Sequence, residues 1–260
     1  MDTVAQFSVL ASLPAADLDL AQGALLIALA GDPALVPGRW RAELDRWAEG
    51  VSGLDGLRRR LFSELGLSGD EANYYDPQNS FLHRVMERRK GIPITLSLVT
   101  MEVGWRAGVP LEAVGMPGHF LVRVPHTGIY LDAFAGGELL DEAGCERRFR
   151  MATGSTEADA PFGPHLLPTI SPHGILARML ANLAVIYELR RSGPDLEWVA
   201  RMRLALPGAA APEVLALANA LEMQGLFLDA ARELEGRAEG LPSAAQELLA
   251  AAHGLRARFN

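Results

Sequence analysis

Between Gly108-Val109-Pro110 and Asp132 the apolar residues change their spacing from a period of 3.6 to a period of 2. The segments 111–114, 120–124 and 129–131 are short alternating runs that read as strands. His126-Thr127-Gly128 between the last two reads as a hairpin turn. Upstream, the pattern is helical. Leu18 to Ala30 forms one helix, Leu35-Val36-Pro37 and Gly38 break it from a second over Trp40 to Val51, and a third runs from Leu54 to Leu65. Residues 66–78 are polar and marked by Gly and Pro, hence a loop. Asn79 or Ser80 is placed to cap a helix carrying Phe81, Leu82, Val85 and Met86, and Gly91 to end it as a left-handed cap. Pro93 then opens a helix over Ile94 to Ala107 that is apolar on most sides, so it is expected to be buried. Helices followed by a small antiparallel sheet predict an α+β domain.

After Ala152 the composition shifts. Residues 153–174 are rich in Gly, Pro, Ser and Thr and are expected to be a linker between a domain over 1–152 and an all-α tail over 175–260. In the tail Leu183, Ala184 and Tyr187 recur 34 residues later as Leu217, Ala218 and Leu221. Gln224-Gly225, Phe227, Ala230, Leu234 and Pro242 complete a pattern that resembles a tetratricopeptide helix pair. Two such pairs are fewer than the three that usually stand alone.

The chain has 260 residues, 49% hydrophobic and 22% charged, with a formal net charge of −8. That balance argues against a nucleic-acid footprint, which needs a basic face. Arg58-Arg59-Arg60, Arg88-Arg89-Lys90 and Arg147-Arg148 are local basic clusters, read as solvated faces. The single cysteine, Cys145, excludes an intramolecular disulfide and fits a reducing compartment. Asp2 stands where a signal peptide would be basic. The run from Ala24 to Ala30 is shorter than the about 20 residues that span a bilayer. A cytoplasmic protein without membrane contact is therefore expected.

The chemistry-bearing residues lie around the hairpin. A turn centred on His126-Thr127 sets Val124 opposite Ile129 and Leu121 opposite Asp132. His119 and Asp132 then lie diagonally on one face, within side-chain reach. Cysteine proteases and transglutaminases add to such a pair a thiolate at a helix N-terminus, where the dipole lowers the thiol pKa. The imidazole takes the proton and the carboxylate holds its tautomer. Here the helix opens on Pro93, which has no nucleophile and no N–H for an oxyanion hole. Ser97, one turn further on, is the alternative hydroxyl, although a serine amid Leu96 and Leu98 is more simply read as bonding its own helix backbone. Cys145 follows both His119 and Asp132 and reads as core filling. Gly115, Pro117 and Gly118 around His119 allow close approach of a ligand, with Gly118 and Phe120 lining the pocket. Asp76 and Asn79 could reach it, though turn forming and helix capping are their simpler roles. A metal held by His119, Asp132 and His83 is the weakest reading, and no metal or cofactor is expected.

The strings YYDPQNSFL, RRKGIPITLS, GMPGHFLVR and YLDAF, with Arg178-Met179-Leu180-Ala181-Asn182-Leu183 and Tyr187, resemble the SirB-type transglutaminase-like family. The resemblance covers nearly the whole chain. It implies a papain-related core followed by tetratricopeptide repeats, with His119 and Asp132 as counterparts of the catalytic pair. It also aligns Gly91-Ile92-Pro93 with the Gly-X-Cys of active transglutaminases. Three functions compete. The favoured one is a non-catalytic adaptor that binds a protein or peptide in the cleft and on the helical tail. The alternative is a hydrolase or acyltransferase using Ser97 or water activated by His119. A structural module without a pocket comes last. The long apolar helices leave a homodimer open.

Overall fold

The computed structural model describes residues 2–259. Contacts divide the chain into two compact units: Leu20–Met179, and a second that joins residues up to Asp19 with those from Leu180 onward. This division differs from the boundaries 1–152, 153–174 and 175–260 expected above. Helix α1 (Thr3–Ala11), capped by the Asp2 carboxylate, packs on a helix of the C-terminal segment.

The unit Leu20–Met179 is built around one buried helix. It begins with α2 (Leu20–Gly31), α3 (Pro37–Ala48) and α4 (Gly53–Arg58), which continues into a π-helical turn, Arg59–Glu64. The expected break between α2 and α3 is present, and Pro37 opens α3 at its first position, earlier than Trp40, where its missing N–H costs nothing. The expected loop 66–78 contains β1 (Ser68–Gly69) and leads into a 3₁₀ turn, Pro77–Ser80, capped by the Asp76 carboxylate on the Gln78 N–H at 3.0 Å. Then follow α5 (Leu82–Arg88), β2 (Lys90–Gly91) and α6 (Pro93–Arg106).

Every residue of α6 from Pro93 to Gly104 is buried, and the helix meets α3, α4, α5, β1 and β2. It also meets β3 (Glu112–Val114) and β4 (Leu121–Val124). Apolar side chains on most of its surface make this central position the stable one, with Thr95, Ser97, Thr100 and Glu102 the buried polar exceptions.

Two local expectations are corrected. Neither Asn79 nor Ser80 caps α5: both are buried, and the position before α5 is Phe81, which makes no side-chain cap. Gly91 is not the left-handed terminator. Arg89 adopts that conformation at φ +61°, freeing Lys90 and Gly91 to pair in parallel with Ser68 and Gly69. A sequence rule favouring glycine at a helix end missed this, because the parallel pair between residues 22 apart outweighs the strain at one arginine.

The antiparallel sheet has the order β3-β4-β5-β6, with β5 at Ile129–Asp132 and β6 at Glu138–Leu140. The hairpin register is the one the turn implies, Val124 opposite Ile129 and Val122 opposite Leu131. Strand β6 and helix α7 (Glu142–Thr153) went unread in the sequence. The Asp141 carboxylate caps the Gly144 N–H at 2.8 Å and Gly154 ends the helix at φ +69°, so a start and a stop signal were both present.

The segment 153–174 does more than connect. The N–H of Gly115 donates to the Pro168 carbonyl and that of Ile170 to the Ala113 carbonyl, both at 3.0 Å, extending the sheet beyond β3. Leu167 enters the same cluster as Val114, Met116, Leu121, Tyr130, Leu140, Cys145 and Phe149.

Helix α8 (Pro172–Arg190) leads into α9 (Gly193–Ala205), α10 (Ala211–Glu222), α11 (Phe227–Ala238) and α12 (Ala245–Phe259). Successive helices from α9 to α12 pack on one another. The repeated positions Leu183, Ala184 and Tyr187 are buried, as are Leu217, Ala218 and Leu221, so the period of 34 is a period of core contacts. Among the described residues no helix is long and apolar enough to cross a membrane.

Candidate functional site

Strand β5 delivers Asp132, and the turn ahead of β4 delivers His119. That turn closes with the His119 N–H on the Met116 carbonyl at 3.0 Å, and Gly118 supplies the required positive φ of +73°. The two side chains meet: His119 Nε2 and Asp132 Oδ2 are 2.9 Å apart.

Asp132 is almost wholly enclosed, at 1% exposure, and its oxygens are fully engaged. Oδ1 accepts from the N–H groups of Phe134 (3.0 Å) and Ala135 (3.1 Å). Oδ2 takes the Arg148 guanidinium at 3.0 Å beside His119. Burial pushes its carboxyl up; the His119 hydrogen bond and charge, the Ala135 N–H and the Arg148 charge outweigh it and hold the group below its ordinary 3.8. Asp132 is therefore a carboxylate at neutral pH. With Nε2 committed to Asp132, His119 Nδ1 is the ring nitrogen left for a ligand or a reacting proton.

Arg148 was missed in the sequence, where Arg147-Arg148 read as a solvated pair. The signal lay in α7: had its caps been read, an arginine two turns into a helix after β5 and β6 would have faced the strand ends. Arg88 corrects a second such cluster, since its guanidinium reaches the buried Asp70 at 3.0 Å.

Aromatic rings wall the pair. The Phe134 ring meets His119 edge-on at 6.3 Å between centroids, Tyr74 meets Phe134 at 6.2 Å, and Tyr75 meets Tyr74 at 5.4 Å. Phe120, expected to line the pocket, is buried, and the Arg178 guanidinium lies 5.2 Å over its ring.

The other candidate residues serve the scaffold. Asp76 caps the 3₁₀ turn and stands 3.6 Å from Arg88. Asn79 donates to the Asn73 carbonyl (2.8 Å) and accepts from Arg88 (3.2 Å). Its own carbonyl takes the Thr95 hydroxyl at 2.7 Å, which pins the loop to the start of α6. His83 pairs with Asp32 at 3.1 Å between the rings of Trp40 and Phe81, not with the His119 pair. Among the described residues no group of three or more His, Cys, Asp and Glu side chains could hold a metal ion.

Pro93 opens α6 and is buried. Ser97 is fully buried and its hydroxyl has no hydrogen-bond partner. The expected bond to its own helix backbone is thus absent, and so is any bond to His119. Cys145 is fully buried on α7, and burial pushes its thiol up to about 12, with the charges of Asp141, Glu142 and Asp132 adding to the shift. A thiol so placed is neither accessible nor ionised. Iodoacetamide at pH 8 is expected to leave Cys145 unmodified in the native protein and to alkylate it fully in 6 M guanidinium; rapid native alkylation would contradict this burial.

A profile of the transglutaminase-like superfamily matches residues 37–181, more than half of the chain and the whole of the His119–Asp132 site. The chain belongs to the transglutaminase-like superfamily. Among similar curated proteins, a UPF0162 protein of Xylella fastidiosa is 43% identical over 133 residues, 50% of this chain and 47% of the relative. A UPF0162 protein of Pseudomonas aeruginosa is 35% identical over 146 residues, 56% of this chain and 52% of the relative. F-box only protein 21 of Mus musculus is 32% identical over 162 residues, 55% of this chain but 24% of that protein. The chain spans about half the length of the two UPF0162 relatives. No solved structure matches it.

Proposed function

We propose that this protein is a non-catalytic member of the superfamily, of the SirB type. In this reading it binds a protein or peptide in the His119–Asp132 cleft and presents a tetratricopeptide-like tail as a second binding surface. A reducing, cytoplasmic setting goes with it. The observation that carries the proposal is the set of side chains available to attack. Pro93 opens the helix that a nucleophile would open, the Ser97 hydroxyl is sealed without a bond to His119, and Cys145 is buried as a neutral thiol. A hydroxyl becomes a nucleophile only with a base in hydrogen-bond contact, and neither hydroxyl nor thiol has one here. The reappearance of the domain within about a quarter of F-box only protein 21 agrees with a module that works in different protein contexts.

One observation favours a second reading. The imidazole–carboxylate pair is intact, and a free Nδ1 could activate water for hydrolysis. The two readings separate in one comparison of the wild-type chain with His119→Ala. Both are offered amide and ester substrates and a fluorophosphonate probe, and both serve as bait in a lysate. The adaptor predicts no turnover, no labelling of Ser97, and a polypeptide retained by the wild type and lost from His119→Ala. Hydrolysis abolished by His119→Ala in a folded protein would overturn it in favour of the water mechanism.

A further inference from the structure

Among the described residues of the cleft unit, Arg89 and Arg178 are both partly buried cations without a salt bridge, each lying over an aromatic ring, and Arg178 is the one that lies against the turn carrying His119. It lies on the first half of α8, half-buried, with its guanidinium over the Phe120 ring at 5.2 Å. Burial holds its pKa below the ordinary value, and the nearby Tyr74 phenol, itself kept neutral by burial, opposes that shift only weakly. Two other arginines of the unit differ: Arg88 has Asp70, and Arg148 has Asp132 and Glu138. Withdrawing a guanidinium from water without a counter-charge is unfavourable, so its retention needs a reason beyond packing.

The backbone makes room for it. A Cβ on Gly115 would stand 2.7 Å from the Arg178 Nη1, so the absence of a side chain there lets the guanidinium lie against the turn that carries His119. Tyr74 connects the two groups: its phenol, held neutral by burial, lies within electrostatic range of Arg178, and its ring touches Phe134, which touches His119. Tyr74 and Tyr75, edge-on to each other at 5.4 Å, are 39% and 61% exposed, leaving two aromatic rings open on this side of Phe134.

We propose that Arg178 is the anchor of the cleft, taking a peptide carboxylate through its planar fork of N–H donors while Tyr74 and Tyr75 pack the adjoining apolar group. The proposal rests on the reading of the cleft as a binding site and names its ligand class. A guanidinium offers a carboxylate two parallel hydrogen bonds, which a lysine cannot reproduce. The carboxylate could be a chain terminus or an acidic side chain, and the recognising chemistry is the same.

The test is an NMR titration of the full chain, following the Arg178 Nε–H and the His119 ring C–H signals, with three probes. N-acetylphenylalanine carries a terminal carboxylate, N-acetylphenylalaninamide is its neutral counterpart, and the α-amide of N-acetylglutamate carries only a side-chain carboxylate. Saturable shifts are expected with at least one of the two acids and not with the neutral amide. Arg178→Gln is expected to weaken acid binding at least tenfold, and tighter binding of one acid over the other identifies the source. Equal binding of amide and acid, or undiminished acid binding by Arg178→Gln, would overturn the proposal. If Arg178→Gln does not fold, Arg178→Lys carries the test: it keeps the charge without the fork, and acid affinity equal to wild type would count as refutation. Loss of carboxylate selectivity would leave His119-dependent partner capture standing. Turnover dependent on His119 would overturn the adaptor while leaving carboxylate binding intact.

Discussion

Asp132→Ala is expected to destabilise the folded protein by about 3–5 kcal/mol, the usual effect of removing one partner from a buried charge pair. The carboxylate removed is the common acceptor of the His119 ring, the Arg148 guanidinium and the N–H groups of Phe134 and Ala135. Alanine leaves two turn amides without an acceptor at a place closed to water and takes from Arg148 one of its two carboxylates, so the loss is larger than the net value of any one bond. Arg148, with 27% of its side chain exposed, keeps Glu138 as a partner, which holds the effect toward the lower end.

The same group gives the acid limb of stability a definite sign. Its carboxyl is held below 3.8 in the folded state, so the folded protein binds this proton less readily than the unfolded chain. The stabilisation is complete above 3.8 and drains away as pH falls below that value through the depressed one. Urea denaturation of wild type and Asp132→Asn across the acid range checks both points. The variant is expected to be less stable at neutral pH and to lose less on acidification. Parallel acid limbs would mean that Asp132 is not the group responsible.

Gly69→Ala is expected to cost about 1–3 kcal/mol, the range for overpacking a filled interior. A Cβ there would stand 2.6, 2.7 and 2.8 Å from three atoms of the Phe134 ring. The Gly69 N–H also bonds the Phe134 carbonyl at 3.2 Å, so strand and ring cannot simply part. Phe134 is the ring between His119 and Tyr74, and its displacement should disturb the cleft as well as stability. A double-mutant cycle with Phe134→Leu isolates the contact. The smaller side chain is expected to recover most of the Gly69→Ala penalty. Additive losses would place the strain in the β1 backbone and refute the steric account.

Sequence and structure agree where the determining interactions are local. Period 2 followed by a turn at His126-Thr127 fixed the hairpin register, and the register put His119 and Asp132 on one face; the observed pairing of Val124 with Ile129 follows the same arithmetic. The burial of α6 was likewise legible, because a helix apolar on most sides has little solvent face to offer. The repeat of 34 residues marked core positions for the same reason.

The differences arise where a residue's partner lies far along the chain. Arg88 and Arg148 looked like surface charge because nothing near them in sequence is buried and acidic; Asp70 and Asp132 reach them only through the fold. Asn79 looked like a cap because capping is the local use of its side chain, yet its contacts run to Asn73, Arg88 and Thr95. The segment after Ala152 read as a linker from composition, although a sheet edge accepts any backbone of suitable register whatever its side chains.

By itself, then, the sequence determined which helix is central, how the hairpin pairs, and that an imidazole meets a carboxylate on one face of that hairpin while α6 opens on Pro93. Those properties depend on periodicity and on residue identity, both of which are written locally. Only the tertiary structure decided which cations are neutralised, which hydroxyl is sealed, and that Arg178 is left beside Phe120 and Tyr74 without an anion. Electrostatic satisfaction is a property of neighbours in space, and the chain brings those neighbours together from segments tens of residues apart.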